Sequence, residues 1–117
     1  MRPKTPKLLA DIADAATFIE EQTRNRSLDD YQHDRLLRQA IERNFEIIGE
    51  AIRRLADVDP DTASRIDRHA QIIAFRNLLA HGYDMVDPRR VWQVIQRDVP
   101  ALRQQVETLL REAQPPE

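Results

Sequence analysis

Four residues that can do chemistry lie close together in the stretch FRNLLAHGYD, residues 75–84. They are Arg76, Asn77, His81 and Tyr83, and they stand in a segment that otherwise reads as the last turns of a buried helix. Removing such groups from water is costly unless they have partners or a task. Their types and spacing therefore raise the question of which reaction they could carry out.

The spacing of Arg76 and His81 allows both side chains to border one cleft. Five positions on an ideal helix correspond to about 140° of rotation and roughly 7.5 Å of rise, so the two side chains do not stack. A histidine beside the exposed carbonyls of a helix C-terminus has its cationic form favoured, which suits acid–base work near neutral pH. The Arg76 guanidinium stays charged, and two of its N–H groups can donate to two oxygens of one phosphate. The pair therefore has the parts for metal-independent cleavage of RNA by its own 2′-hydroxyl: a base, an acid and a charge stabiliser.

Each of these residues also has an ordinary structural explanation. An arginine and a histidine near a helix end are more often a cap and a surface ion pair than a catalytic couple. Tyr83 is typical of the edge of a core, and Asn77 of a local hydrogen bond. His69 shares the helix face of Arg76, and an exposed position in a charged turn explains it.

Composition excludes several other kinds of site. The chain has no cysteine, and His81 with Asp84 or Asp87 lacks the further ligands that a zinc site needs, so we expect no metal and no cofactor. Two glycines are too few for a glycine-rich phosphate loop. The formal net charge of −2 argues against a protein that coats nucleic acid by bulk electrostatics. Any contact with RNA is therefore expected to be local.

A pair of carboxylates, Glu46 and Glu50, stands at i, i+4 in another apolar-patterned segment. Such a pair could form a catalytic dyad. A solvated stripe beside Arg43, Arg53 and Arg54 explains it more simply, and we interpret it that way.

The helices that must hold these residues are marked by local signals. Apolar residues recur at helical spacing almost throughout, which predicts one all-α domain over residues 1–117, an antiparallel bundle of four main helices with an additional short helix. Ser27 with Asp30 predicts a helix start near residue 28. The Asp-Pro pairs at 59–60 and 87–88 predict two more.

The helix that carries the reactive residues is expected from about 68 to 81, after a short helix near 60 to 66. Gly82 suits the left-handed position that ends it. Pro100 must kink or divide the closing helical segment, because it removes a hydrogen bond to the preceding turn. The predicted core contains Leu37, Ile41, Phe45, Ile48, Ile72, Phe75, Ile95 and Leu102.

The sequence also predicts where the protein works. No apolar run reaches the roughly 18 residues of a membrane helix, and acidic residues interrupt the segment that a signal peptide would use. We expect a soluble cytoplasmic protein with no membrane contact.

The motif RNLLAHGY resembles the R-x4-H-x-Y signature of HepT-like toxins in the HEPN superfamily, with Arg76, His81 and Tyr83 on its three defining positions. The likeness extends to the flanking blocks. IERNFEIIGEAIRRL resembles the long second helix of that family, and VDPRRVWQVIQRDVPALRQQVETLL resembles its closing segment. The resemblance covers nearly the whole chain.

This resemblance implies a HEPN-like bundle that forms a homodimer, in which two Arg76–His81 pairs meet in a metal-independent ribonuclease cleft. It implies a partner, a minimal nucleotidyltransferase antitoxin of a type VII-like system, which silences the toxin by attaching AMP to Tyr83. Asn77 occupies the polar position after the motif arginine and would orient the phosphate. The alternative is a noncatalytic HEPN module that binds a nucleotide or the nucleotidyltransferase, and a structural helical adaptor is a third reading.

Overall fold

The computed structural model describes residues 1–81 and 86–113, and the regular structure within these ranges is entirely helical. The prediction of an all-α fold is confirmed. The helices are α1 (Thr5–Thr23), α2 (Leu28–His33), α3 (Arg35–Val58), α4 (Pro60–Ser64), α5 (His69–His81), α6 (Pro88–Gln93), a π-helical segment (Val94–Asp98) and α7 (Val99–Ala113).

The predicted helix starts are confirmed by their caps. Ser27 and Asp30 form a reciprocal capping box at α2, with the Ser27 N–H donating to the Asp30 carboxylate and the Asp30 N–H to the Ser27 hydroxyl. Asp59 accepts from the Thr62 N–H at the start of α4, and Asp87 caps α6. α2 is separate from α3 because Asp34 between them is extended and caps α3 itself.

The main packing layers run from α7 through α1 and α3 to α5. α1 packs against both α3 and α7, while α5 packs against α3. Six of the predicted core residues are buried: Leu37, Ile41, Phe45, Ile48, Ile95 and Leu102. Ile72 and Phe75 are only half-buried and pack against the edge of this core. The reason is that α5 rests chiefly on a single neighbour, α3, and is therefore the helix at the margin of the bundle.

Pro100 is accommodated by a local change of helix type. The Val99 N–H donates to the Val94 carbonyl across five residues, so the turn before the proline is wider than an α-turn. A wider turn leaves room for the proline ring, which would otherwise clash with the carbonyl four residues earlier. The predicted division is thus a π-helical segment between α6 and α7. None of the described helices is long and apolar enough to cross a membrane.

Candidate active site

The helix α5 carries three of the four residues singled out in the sequence. Arg76 lies on its half-buried side, whereas Asn77 is exposed. His81 is the last residue of α5 and is also exposed, as the sequence predicts for a histidine at a helix C-terminus. Tyr83 and the predicted helix-ending Gly82 lie outside the described residues.

Arg76 is seated where α5 crosses α3 at Gly49. A Cβ atom built on Gly49 would lie 2.5 Å from Cγ of Arg76 and closer still to its Cβ. Real Cβ atoms do not approach other carbons so closely, because such contacts are strongly repulsive. The absent side chain at Gly49 therefore lets the aliphatic stem of Arg76 lie directly on the backbone of α3.

The guanidinium of Arg76 is held between an acid and an amide. Its Nη2 is 3.6 Å from Oε2 of Glu50, and its Nη1 donates to Oδ1 of Asn77 at 2.9 Å. The Arg76 side chain is 28% exposed, and its Nε atom is buried without a hydrogen-bond partner among the described residues. The guanidinium is thus partly desolvated, a state in which its attraction for an anion is stronger than in water.

Glu50 is the centre of a cluster of arginines. It accepts from Nη2 of Arg53 at 2.9 Å and from Nε of Arg54 at 3.3 Å. The hydrogen bonds from Arg53, followed by the charges of Arg53 and Arg54, lower the pKa of Glu50 to about 2 against the opposing effect of desolvation. Glu50 is therefore ionised at neutral pH and can hold a cation beside it.

The interpretation of the Glu46–Glu50 pair as a solvated stripe is correct for one member and incomplete for the other. Among the described residues, Glu46 pairs only with the exposed Arg43 one turn earlier, at 3.3 Å. Glu50 pairs with Arg53 as predicted, but it also reaches across to Arg76 on α5. Of the two carboxylates, Glu50 is thus the one that pairs with the motif arginine.

A cleft of about 230 Å³ opens beside Arg76, between α1, α3 and α5. Its charged walls are formed by Asp11, Arg43, Glu46, Glu50, Arg54 and Arg76. His81 is not part of this wall in the described chain, so a single chain does not place Arg76 and His81 around this cleft together. The same described residues contain no group of three His, Asp or Glu side chains that could hold a metal ion.

The outward face of α5 carries apolar residues at exposed positions. The residues at i, i+4, i+7, i+8 and i+11 all lie on this face and are all exposed: Ala70, Ala74, Asn77, Leu78 and His81. Leu78 is 36% exposed. α5 therefore presents apolar surface both towards α3 and towards the outside, with Asn77 and His81 along its outer edge.

An all-α bundle with an R-x4-H pair at the end of a marginal helix is the arrangement expected of a HEPN domain. The model of the family described as ribonuclease HepT-like matches residues 12–109, and the chain belongs to this family. The chain is 32% identical over 109 residues to a protein from Caldanaerobacter subterraneus subsp. tengcongensis named a putative RNase, covering 92% of this chain and 96% of the relative. It is 34% identical over 104 residues to a protein from Thermococcus cleftensis named a probable ribonuclease HepT, covering 86% and 91%. No solved structure matches the chain significantly.

Sequence reasoning missed Gly49 as a site residue, and it placed Glu50 only in a solvated stripe. A glycine in the middle of a helix costs about 1 kcal/mol relative to alanine, so its presence at that position signals a close approach by another element. The mid-helix glycine identifies Gly49 as a point of close approach. It does not identify Arg76 as the residue that approaches, because which helix packs on α3 is known only from the fold.

Proposed function

We propose that this chain is a metal-independent endoribonuclease and the toxin of a type VII-like HEPN/minimal nucleotidyltransferase toxin–antitoxin system. The observation that carries the proposal is the partly desolvated Arg76 guanidinium, seated at a cleft on the same helix as His81, in a chain of the HepT-like ribonuclease family. A guanidinium so placed suits a phosphate anion, since its N–H groups match two phosphate oxygens at once.

The reaction proposed is attack of the RNA 2′-hydroxyl on the adjacent phosphorus. The new bond joins the 2′-oxygen to phosphorus, the bond from phosphorus to the 5′-oxygen breaks, and the products are a 2′,3′-cyclic phosphate and a 5′-hydroxyl. His81 takes the proton from the 2′-hydroxyl or gives one to the leaving 5′-oxygen. Arg76 stabilises the charge that develops on the phosphate oxygens, and Asn77 orients the Arg76 guanidinium towards them.

The proposed assembly is a homodimer through the outward face of α5. One histidine cannot act as base and acid in the same step, whereas two copies supply both. The exposed apolar positions Ala70, Ala74 and Leu78 support this choice of face, because burying them against a second α5 removes apolar surface from water. The same packing would carry His81 of each copy to the interface.

The proposed control is attachment of AMP to Tyr83 by the nucleotidyltransferase partner. Tyr83 follows His81 by two residues, so a phosphate joined to its phenolic oxygen would be close to the motif in the chain. The added phosphate would bind the N–H groups of the Arg76 guanidinium that an RNA phosphate would otherwise use. Inhibition then comes from both blockage and electrostatic mimicry.

Alanine substitution at the two motif residues tests the catalytic proposal. Loss of general acid–base help lowers rates by on the order of 10² to 10⁴, so His81→Ala and Arg76→Ala should each nearly abolish RNA cleavage and leave the helical circular-dichroism signal intact. The matched control is His33→Ala, which removes an exposed histidine on α2 and should cleave like the wild type.

Full cleavage by both motif variants would contradict the assigned roles. A wild type that binds the nucleotidyltransferase or a nucleotide but cuts no RNA would instead favour the noncatalytic module.

A further inference from the structure

Two consecutive residues of α3 determine where Arg76 lies. Gly49 receives its aliphatic stem, because a Cβ there would lie 2.5 Å from Cγ of Arg76. Glu50 faces its charged end, with Oε2 at 3.6 Å from Nη2. The stem and the head of one side chain are thus set by neighbouring positions of a helix that lies outside the R-x4-H motif.

We infer that Gly49 and Glu50 are a positioning pair, which fixes the Arg76 guanidinium in the orientation that an RNA phosphate requires. The inference rests on the proposed ribonuclease function. Neither residue is assigned contact with the substrate, and both act through Arg76.

The geometry leaves Arg76 oriented but still able to bind an anion. Each terminal nitrogen of a guanidinium carries two N–H groups. Asn77 takes one N–H of Nη1, and the 3.6 Å separation from Glu50 to Nη2 is a contact between charges rather than a short hydrogen bond. At least one N–H on each terminal nitrogen is therefore left for the two oxygens of a phosphate.

Glu50 is itself held firmly enough to act as a fixed point. Its oxygens already accept hydrogen bonds from Arg53 and Arg54 on its own helix. A carboxylate that accepts hydrogen bonds from two arginines has little freedom to move with the Arg76 side chain. Because its charge is shared among three guanidinium groups, it orients Arg76 without fully neutralising it.

The substitution Glu50→Gln tests the role of the charge, because glutamine keeps the shape and removes the negative charge. A misplacement of the catalytic group of about 1 Å can cost on the order of 10² in rate, and we expect kcat for RNA cleavage to fall by about that factor with little change in KM or Tm. The matched control is Glu42→Gln, two turns earlier on α3 and outside the residues that line the cleft, which should cleave like the wild type.

If Glu50 acts through Arg76, the fall in cleavage rate caused by Glu50→Gln must depend on the presence of Arg76. In an Arg76→Ala background, Glu50→Gln should cause no further loss of the residual cleavage, whereas Glu50→Asp in the wild-type background should restore part of the rate. Equal activity of the Glu50→Gln and Glu42→Gln variants would overturn the inference, as would a full further loss in the Arg76→Ala background.

The substitution Gly49→Ala tests the seat of the stem without any assay of activity. Alanine is a better helix former than glycine, so at an open position the change raises Tm. Here we expect it to lower Tm, because the new methyl group meets Cβ and Cγ of Arg76. The Arg76→Ala background keeps that Cβ and should not relieve the loss, whereas Arg76→Gly removes it and should make the same change stabilising.

A rise in Tm for Gly49→Ala in the wild-type background would overturn the inference. The Tm values of Gly49→Ala in the three backgrounds also distinguish failure of this inference from failure of the proposed function. A wild type without ribonuclease activity refutes the proposed function, whereas the Tm values judge the seating of Arg76 whatever the protein cleaves.

Discussion

Asp59 is the buried carboxylate that ties the start of α1 to the junction of α3 and α4, and it predicts how stability depends on pH. The residue is 6% exposed. Its Oδ2 accepts from the hydroxyls of Thr5 at 2.7 Å and Thr62 at 2.8 Å, and its Oδ1 accepts from the Thr62 N–H at 3.2 Å. These bonds favour the ionised form, so removing the charge should weaken the junction.

The size of the effect follows from the pKa of Asp59. The hydrogen bond from Thr5, and then those from Thr62, lower this pKa from 3.8 to about 2 against the cost of desolvation. Since each tenfold change in proton affinity is about 1.4 kcal/mol, the ionised carboxylate contributes about 2 kcal/mol to the free energy of unfolding. Because the folded pKa is the lower one, this contribution is present above pH 3.8 and is lost as the pH falls towards about 2.

Urea unfolding followed by circular dichroism measures this contribution. The substitution Asp59→Asn should lower the free energy of unfolding by about 2 kcal/mol at neutral pH, and the difference from the wild type should narrow as the pH falls through the same window. The control is Asp57→Asn, two residues earlier, which breaks an exposed pair with Arg53 and should cost less than about 1 kcal/mol. A difference between wild type and Asp59→Asn that stays constant from neutral pH to about pH 2, or one no larger than that of the control, would contradict this role of the Asp59 carboxylate.

Three further predictions concern the core, the assembly and the control of the protein. Phe45→Ala should lower the free energy of unfolding by about 3–5 kcal/mol in urea titrations, because it empties a core site whose ring meets Phe75 edge-on at 5.1 Å; a cost below about 1 kcal/mol would contradict this packing. Leu78→Asp should convert the proposed homodimer to a monomer in light scattering while Leu36→Asp, at another exposed leucine, should not; two variants that both stay dimeric would place the interface elsewhere. Tyr83→Phe should keep cleavage but gain no AMP by intact-mass analysis when the nucleotidyltransferase and ATP are supplied, and an equal mass increase on the variant would show that another residue is modified.

The parts of the fold that could be predicted from the sequence are those that local signals mark. The Ser27–Asp30 capping box and the Asp-Pro starts act within one helical turn, so the helix starts they mark required no knowledge of packing. The described range of α5, His69–His81, likewise matches the predicted range of about 68 to 81.

Features that depend on packing between helices could not be predicted in the same way. Ile72 and Phe75 stand at core spacing but are only half-buried, because α5 has α3 as its chief neighbour. The Glu50–Arg76 contact joins residues 26 positions apart, and nothing in helical periodicity brings these two positions together. Pro100 predicts an interruption, but whether it becomes a kink or a π-helical turn depends on the register that the flanking turns must keep with the core.

The proposed cleavage of RNA by Arg76 and His81 through the RNA's own 2′-hydroxyl can be tested by the chemistry of the product ends. The wild-type protein, dialysed against EDTA, is incubated with a labelled RNA to map a cleavage site, and then with the same RNA carrying a 2′-deoxy nucleotide on the 5′ side of that site. We expect cleavage of the first RNA with EDTA present, a 2′,3′-cyclic phosphate and a 5′-hydroxyl at the new ends, and no cleavage at the deoxy position. Ends with a 3′-hydroxyl, cleavage at the deoxy position, or activity that appears only after a divalent metal ion is added would contradict it.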